Sequence, residues 1–193
     1  MIKRELVENM PKFLSNAQVC ETRQQGKQTK LSFQANQVRR ANQKLQLIHT
    51  DVSGPMKTES LSGNKYFLLF IDDYTRMCWV YFIRLKSEVF DVFKQFKALG
   101  EDQCNLSIKA LKSDNGGEYT SSQFVEFCNY TGIKRQLKLP YTPQQNGVSE
   151  RKNRTVMEMA NYILLETKIP NQIWAEAVNT SVYLLNKLPI KAL

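Results

Sequence analysis

The chain changes from a strand pattern to a helix pattern at KSDNGGEYTSS, residues 112–122. A short alternating apolar run precedes this stretch, and the segment SSQFVEFCNY (121–130) has helical periodicity. Asn115-Gly116 is a strong turn signal, but a hairpin turn would lead into a second strand. The sequence therefore predicts that Asp114 ends a strand at a strand-to-helix crossing. Sites in open α/β sheets form just outside the carboxyl ends of strands, so Asp114 either starts a turn or supplies chemistry there.

The other apolar patterns predict strands and helices on both sides of this crossing. The continuous run YFLLFI (66–71) is typical of a strand buried on both faces, and a short polar break joins it to the next run as a hairpin. Strands are predicted at 45–52, 66–71, 77–83, 108–112 and 133–139. Helices are predicted at 87–99, at 121–130, from 149 to before Pro170 and at 172–186, with Ser87, Thr120 or Ser121, and Ser149 as N-caps. An opening meander followed by alternating strands and helices predicts a mixed sheet covered by helices.

The charge is concentrated at the beginning of the chain. Of the formal net charge of +9 over 193 residues, +6 lies in residues 1–45, which are polar and rich in Gln. The sequence thus predicts a basic N-terminal segment, 1–40, before a globular core, 41–193. A basic arm suits a polyanionic partner, although many proteins reach this charge without binding nucleic acid.

Cysteine usage and hydropathy exclude two broad classes of protein. The four cysteines contain no Cys-x-x-Cys pair, which indicates a reducing compartment, with Cys78 and Cys128 as buried core residues. We find no apolar stretch of 18 residues and no secretory signal at the start. A disulfide-stabilised secreted protein and a membrane span are therefore not expected.

Three carboxylates occupy positions suited to one site. Asp51 lies near the carboxyl end of the first predicted strand, Asp114 ends the fourth, and Glu150 lies in the first turn of the long helix, with 62 and 35 residues between them. Glu150 alone could simply complement the helix dipole, which contributes about 0.3–1 kcal/mol. On a helical wheel it lies at the edge of the apolar face, whereas Arg151 and Arg154 turn further toward solvent.

Five stretches resemble the integrase catalytic core of copia-type long-terminal-repeat retrotransposon polyproteins, which is related to retroviral integrases and other DDE transposases. They are HTDVSGP (49–55), YFLLFIDDYTR (66–76), KSDNGGEY (112–119), YTPQQNGVSERKNRT (141–155) and IWAEAVNTSVYLLNKLP (173–189). The resemblance covers about residues 15–193. It implies a ribonuclease-H-like fold, a mixed five-stranded sheet flanked by helices, here with a basic N-terminal extension.

The resemblance implies that Asp51, Asp114 and Glu150 are the catalytic acids and hold two Mg²⁺ or Mn²⁺ ions. Carboxylate oxygens are hard ligands that suit these cations, and a pair of ions assists in-line displacement at phosphorus. The implied reaction is DNA integration, in which the 3′ ends of the element's DNA are trimmed and then joined to target DNA. The implied partners are DNA and further copies of the chain, and the implied location is the nucleus, or otherwise the cytoplasm.

The resemblance also implies DNA contacts at the start of the long helix and in the loop before it. The candidates are Arg151, Lys152, Arg154, Gln144 and Asn146. The ordinary alternatives are a solvated basic helix face and a plain connecting loop.

Two other polar sites have ordinary alternatives. His49, the only histidine of the chain, lies two residues before Asp51 on the same strand face. It could act as a general base, but a packed or hydrogen-bonded histidine is the commoner case. Asp72 and Asp73 most simply belong to a hairpin turn; the alternative is that they contact the metal-binding residues without touching the metal themselves.

The N-terminal segment departs from the family pattern of a zinc-binding module. Cys20 remains, but Arg23 stands at the second cysteine position and residues 1–19 contain no histidine. Tetrahedral zinc binding needs four ligands, so we expect no zinc. Because the chain also stops before the family's C-terminal regions, the resemblance implies a polyprotein fragment or a decayed copy.

Two rival functions remain open from the sequence. One is a non-catalytic DNA-binding or interaction remnant of a transposable element. The other is a nuclease of the same fold, which cuts DNA without joining it.

Overall fold

The computed structural model describes residues 40–137 and 147–187. Five strands form one sheet: β1 (Ile48–Ser53), β2 (Tyr66–Asp72), β3 (Cys78–Ile83), β4 (Ala110–Ser113) and β5 (Lys134–Leu137). Their order across the sheet is β3-β2-β1-β4-β5. β2 pairs antiparallel with β1 and β3, and β4 pairs parallel with β1 and β5. The predicted mixed five-stranded sheet is therefore present.

The helices follow the predicted order, with one addition. They are α1 (Val89–Cys104), α2 (Gly117–Thr120), α3 (Ser122–Tyr130), α4 (Gly147–Thr167) and α5 (Trp174–Lys187), with 3-10 turns at Lys86–Glu88 and Asn171–Ile173. The short helix α2, directly after the Asn115-Gly116 turn, was not predicted. No helix among the described residues is long and apolar enough to cross a membrane.

The sheet separates two apolar cores. Successive residues of a strand point to opposite faces, so the run in β2 supplies Leu68 and Phe70 to one core and Phe67, Leu69 and Ile71 to the other. The first core also contains side chains of α1 and α3, and the second contains those of α4 and α5. This two-sided burial explains the continuous apolar run, because each such side chain contributes about 1.5–3 kcal/mol when fully buried.

Two of the predicted helix starts are wrong, and one is confirmed. Ser87 lies inside a 3-10 turn, where the Glu88 carboxylate accepts from the backbone N–H of Leu85 at 2.7 Å. Ser149 does not cap α4, because that helix begins at Gly147 and encloses Ser149 as a buried residue. Ser121 is the N-cap of α3, as predicted, and its Oγ accepts from the backbone of the third residue beyond it at 3.4 Å.

The hairpin turn between β2 and β3 is confirmed, and its first aspartate also fixes the chain before β1. Asp72 accepts from Thr75 N at 2.9 Å and from Thr75 Oγ1 at 2.6 Å. Its other oxygen accepts from Leu45 N at 2.9 Å. Leu45 has a left-handed φ of 58°, so the first strand begins at Ile48 and not at residue 45.

Several predictions concern residues outside the described ranges. They are residues 1–39 of the predicted basic segment 1–40, the zinc remnant at Cys20, and the loop residues Gln144 and Asn146. Cys78 and Cys128 lie inside the described ranges, and both are buried as predicted.

Candidate functional site

Asp51 and Asp114 lie near the carboxyl ends of two parallel strands. β1 and β4 pair with His49 opposite Lys112, an offset of 63 residues. Asp51 and Asp114 differ by the same 63 residues, but they lie two positions beyond the last ladder pair, and Asp114 is one residue past the end of β4. Adjacent strands lie about 4.7–4.9 Å apart. Both acids therefore lie at the carboxyl edge of the sheet's central strands.

Helix α4 reaches this edge through Asn153. Asn153 Nδ2 donates to Asp51 Oδ2 at 2.8 Å, across 102 residues of sequence. Asn153 is 7% exposed and belongs to the buried stripe of α4 together with Val156 and Ala160. Sequence reasoning missed this residue, although an Asn three positions before Val156 on an apolar helix face is a detectable signal.

Glu150 lies one turn before Asn153 on the same side of α4, because residues three apart are neighbours on a helix surface. It is half-buried, whereas Arg151 and Arg154 are exposed, as predicted from the helical wheel. In residues 40–137 and 147–187, no three acidic, histidine or cysteine side chains are grouped closely enough to hold a metal ion. The structure thus places Asp51 and Asp114 at the same edge of the sheet and Glu150 on the adjoining helix, without a closed three-carboxylate cluster among the described residues.

Asp114 also takes part in the turn that follows it. Its Oδ1 accepts from the backbone N–H of Gly116 at 3.1 Å. Both sequence interpretations of this residue are therefore compatible, because the carboxyl group orders the turn and lies at the edge shared with Asp51.

The edge carries a concentrated negative charge. Tyr119 of α2 is fully buried next to it, and burial raises the pKa of its phenol well above the usual value. The charges of Asp51, Asp114 and Glu118 raise that pKa further, and the hydrogen bond between Tyr119 and Thr50 lowers it. Three carboxylates at this edge therefore act on the same buried phenol.

The basic residues after Glu150 differ in their surroundings. Arg151 and Arg154 are exposed on α4. Lys152 is half-buried next to Cys78. Burial raises the pKa of the Cys78 thiol to about 11, and the charge and hydrogen bond of Lys152 oppose this rise. Lys152 is thus directed toward the sheet, unlike its two neighbours.

Comparison with known proteins identifies the family. The profile of the family described as "Integrase core domain" matches residues 41–143. The chain belongs to this family. The resemblance inferred from the sequence motifs is confirmed at this level.

Two curated relatives of this integrase core are transposon polyproteins. The retrovirus-related Pol polyprotein from transposon TNT 1-94 of Nicotiana tabacum is 49% identical over 164 residues, 85% of this chain and 12% of that polyprotein. The corresponding polyprotein from transposon RE2 of Arabidopsis thaliana is 38% identical over 146 residues, 75% of this chain and 10% of that polyprotein. The chain therefore spans about a tenth of the length of these curated relatives.

Solved structures show the same fold. The HTLV-2 integrase catalytic core domain, in complex with magnesium in a dimeric form, matches with a TM-score of 0.59 and 22% identity, covering 79% of this chain and 94% of that one. A chain of the simian T-cell lymphotropic virus intasome, in complex with the PP2A regulatory subunit B56 gamma, matches with a TM-score of 0.62 and 17% identity. The match covers 79% of this chain and 52% of that one. The predicted ribonuclease-H-like arrangement of sheet and helices is confirmed.

In this integrase core, His49 is part of a buried polar network. Its Nε2 lies 2.9 Å from Asp73 Oδ1, which also accepts from Arg76 Nη1 at 3.0 Å. Asp73 Oδ2 accepts from the backbone N–H of Ala41 at 2.7 Å. His49 therefore has the packed, hydrogen-bonded environment that was the commoner of its two alternatives.

Proposed function

We propose that this integrase core catalyses metal-dependent phosphoryl transfer on DNA, trimming the 3′ ends of retrotransposon DNA and joining them to target DNA. The observation that carries the proposal is the parallel pairing of β1 and β4, which brings Asp51 and Asp114 to one edge of the sheet, next to the start of the helix that bears Glu150. Membership of the integrase core domain family supports the same reaction class.

The donor groups fit a hard divalent cation. Carboxylate oxygens are the ligands that Mg²⁺ and Mn²⁺ prefer, and the negative charge that acts on buried Tyr119 favours a cation at this edge. We assign Asp51, Asp114 and Glu150 as the residues that hold Mg²⁺ or Mn²⁺, two ions when DNA is bound. When bound, such ions activate an attacking oxygen and stabilise the leaving oxygen at phosphorus. The HTLV-2 core domain in complex with magnesium supports the use of a divalent cation.

The residues of α4 orient the site and contact the substrate. Asn153 donates to Asp51 and fixes the orientation of that carboxyl group. Arg151 and Arg154 are exposed beside Glu150, where they contact DNA phosphates in this proposal. Lys152 is assigned to the same DNA surface, although its half-buried position next to the sheet requires its side chain to turn outward.

The remaining assignments concern the loop, the assembly and the cell. Gln144 and Asn146, outside the described residues, are proposed to line the DNA path. Structural relatives solved as dimeric and trimeric forms, and as an intasome, support assembly of several copies on DNA. Function in the nucleus follows from the proposed reaction.

The decisive experiment compares strand transfer by the chain and by its Glu150→Gln variant. A pre-trimmed donor DNA and a target DNA are incubated with Mg²⁺ or Mn²⁺, and joined products are counted. Loss of the carboxylate is expected to reduce joining by at least roughly 100-fold, the scale on which electrostatic transition-state stabilisation acts. The matched control is Glu158→Gln, an exposed Glu on the same helix, which should join DNA like the wild type.

A non-catalytic DNA-binding role is the second candidate. The observation that favours it is the lack of a closed three-acid cluster among the described residues. It predicts that Asp114→Asn changes no measurable activity, whereas the enzyme proposal predicts loss of metal-dependent joining. A nuclease of the same fold would cut the donor yet fail to join its pre-trimmed form.

A further inference from the structure

The backbone ladder between β1 and β4 does not reach the two acids. Its last pair is His49 with Lys112; Asp51 lies two residues further along β1, and Asp114 lies one residue beyond the end of β4. In the described part of the chain, no ladder pair therefore fixes the separation of the two carboxyl groups.

A side-chain hydrogen bond links β1 to α2, the short helix that follows the turn after Asp114. Thr50 Oγ1 lies 3.0 Å from Tyr119 Oη. Because successive strand residues face opposite sides, Thr50 points away from the face that carries Asp51. Thr50 and Tyr119 are 0% and 1% exposed, so water does not compete for this bond.

Tyr119 is closely coupled to Asp114 through the intervening turn. Tyr119 N donates to the carbonyl oxygen of Gly116 at 3.0 Å, and Gly116 N donates to Asp114 Oδ1 at 3.1 Å. The carbonyl oxygen of Tyr119 accepts from Arg135 Nη2 of β5 at 2.7 Å. A displacement of Tyr119 is therefore transmitted to Asp114.

Core packing alone does not require the two hydroxyl groups. The Tyr119 ring packs edge-on against Phe124, with centroids 5.8 Å apart at 73°, a contact that a Phe ring would also make. Replacing both partners of a buried hydrogen bond by apolar groups of similar shape leaves stability nearly unchanged. The Thr50–Tyr119 hydrogen bond therefore orients these two residues relative to each other and adds no apolar burial.

We propose that the Thr50–Tyr119 hydrogen bond sets the separation of Asp51 and Asp114 and thereby the affinity of these carboxylates for a divalent cation. Thr50 and Tyr119 are positioning residues, and the inference rests on the proposed metal-dependent function. Partners that orient metal ligands change metal affinity by roughly 10–100-fold when they are removed. We expect Tyr119→Phe and Thr50→Val each to weaken Mn²⁺ binding by about 10-fold.

The test measures Mn²⁺ binding to the whole chain without DNA, from the electron paramagnetic resonance signal of free Mn²⁺. The wild type, both single variants and the double variant are titrated, and their melting temperatures are recorded. Tyr81→Phe is the matched control, because Tyr81 lies on the same sheet face against Phe70, at a ring distance of 5.8 Å, away from β4. This control should bind Mn²⁺ like the wild type.

The double variant separates positioning from stability. A single variant leaves one buried hydroxyl unpaired, whereas the double variant removes both and should recover the melting temperature. Weak Mn²⁺ binding in a double variant that has recovered its melting temperature supports the proposal. The proposal is overturned if the double variant recovers both its melting temperature and its Mn²⁺ affinity, or if Tyr119→Phe binds Mn²⁺ with wild-type affinity.

The Asp51→Asn variant distinguishes this inference from the proposed function. If Asp51→Asn abolishes Mn²⁺ binding and Tyr119→Phe preserves it, the positioning role of Tyr119 is rejected and the proposed function stands. If the wild type binds no Mn²⁺, the proposed function and this inference both fail.

Discussion

Replacing Asp73 with Asn tests the buried network behind β1. Its carboxyl group accepts from Ala41, His49 and Arg76 at 2.7–3.0 Å, and the side chain is 6% exposed. Burial alone would raise the pKa of Asp73, but the hydrogen bonds from His49 and Ala41 and the charge of Arg76 outweigh it. Together they lower this pKa from 3.8 to about 2. The Asn variant keeps the shape of the side chain and removes the charge.

The direction of this pKa shift determines how stability depends on pH. Because the folded pKa is below the unfolded one, the ionised carboxylate stabilises the fold above about pH 4 and loses this effect as the pH falls toward 2. A shift of this size corresponds to about 2 kcal/mol at pH 7, of which about half remains near pH 3. Asp73→Asn should therefore lower the free energy of unfolding by about 2 kcal/mol at pH 7.

Urea unfolding between pH 7 and pH 3 measures this difference directly. The difference in free energy of unfolding between the wild type and Asp73→Asn should fall by about half over that range. Asp91→Asn is the control, because Asp91 is 68% exposed and its pair with Lys94 at 2.7 Å contributes about 0–1 kcal/mol. A gap that stays constant down to pH 3 would refute the ionic explanation.

Two further substitutions test the backbone near the sheet. Gly54→Ala should destabilise the fold by at least about 2 kcal/mol, because Gly54 has φ +126° and a Cβ would lie 2.7 Å from the carbonyl oxygen of Lys65. Gly117→Ala, with nothing within 4 Å, is its control, and equal melting temperatures would contradict the steric argument. Asn186→Ala should speed amide hydrogen exchange at Cys78, because the Asn186 amide group bonds both Cys78 N (2.9 Å) and Cys78 O (2.7 Å). Unchanged exchange would show that these bonds do not protect the strand.

Short-range pattern was sufficient to predict the sheet and the position of its acids. The run YFLLFI predicts burial on both faces, and each of its residues from Phe67 to Ile71 is fully buried. Asp114 could be placed at a strand end because a turn signal follows it and a helical pattern comes next. The order of elements predicted a mixed sheet, and the parallel pairing of β1 with β4 brings Asp51 and Asp114 to the same edge.

Contacts that depend on helix orientation could not be predicted. The hydrogen bond from Asn153 to Asp51 requires the angle at which α4 crosses the sheet, which local periodicity does not contain. The N-cap predictions at Ser87 and Ser149 failed because residue type alone does not fix a helix start. At the first, a Glu88 carboxylate takes the backbone donors, and at the second the helix begins two residues earlier.

The distance along the chain between β1 and β4 has a consequence for folding. β1 to β3 form a local meander, whereas β1 meets β4 only by closing a loop at an offset of 63 residues. Closing such a loop has an entropic cost before the contacts compensate for it. Asp51 and Asp114 therefore become neighbours only after that closure, and Asn153 reaches Asp51 only once α4 has docked. Partly folded forms that contain the meander alone lack the paired acids, so such forms cannot bind a metal ion through both of them.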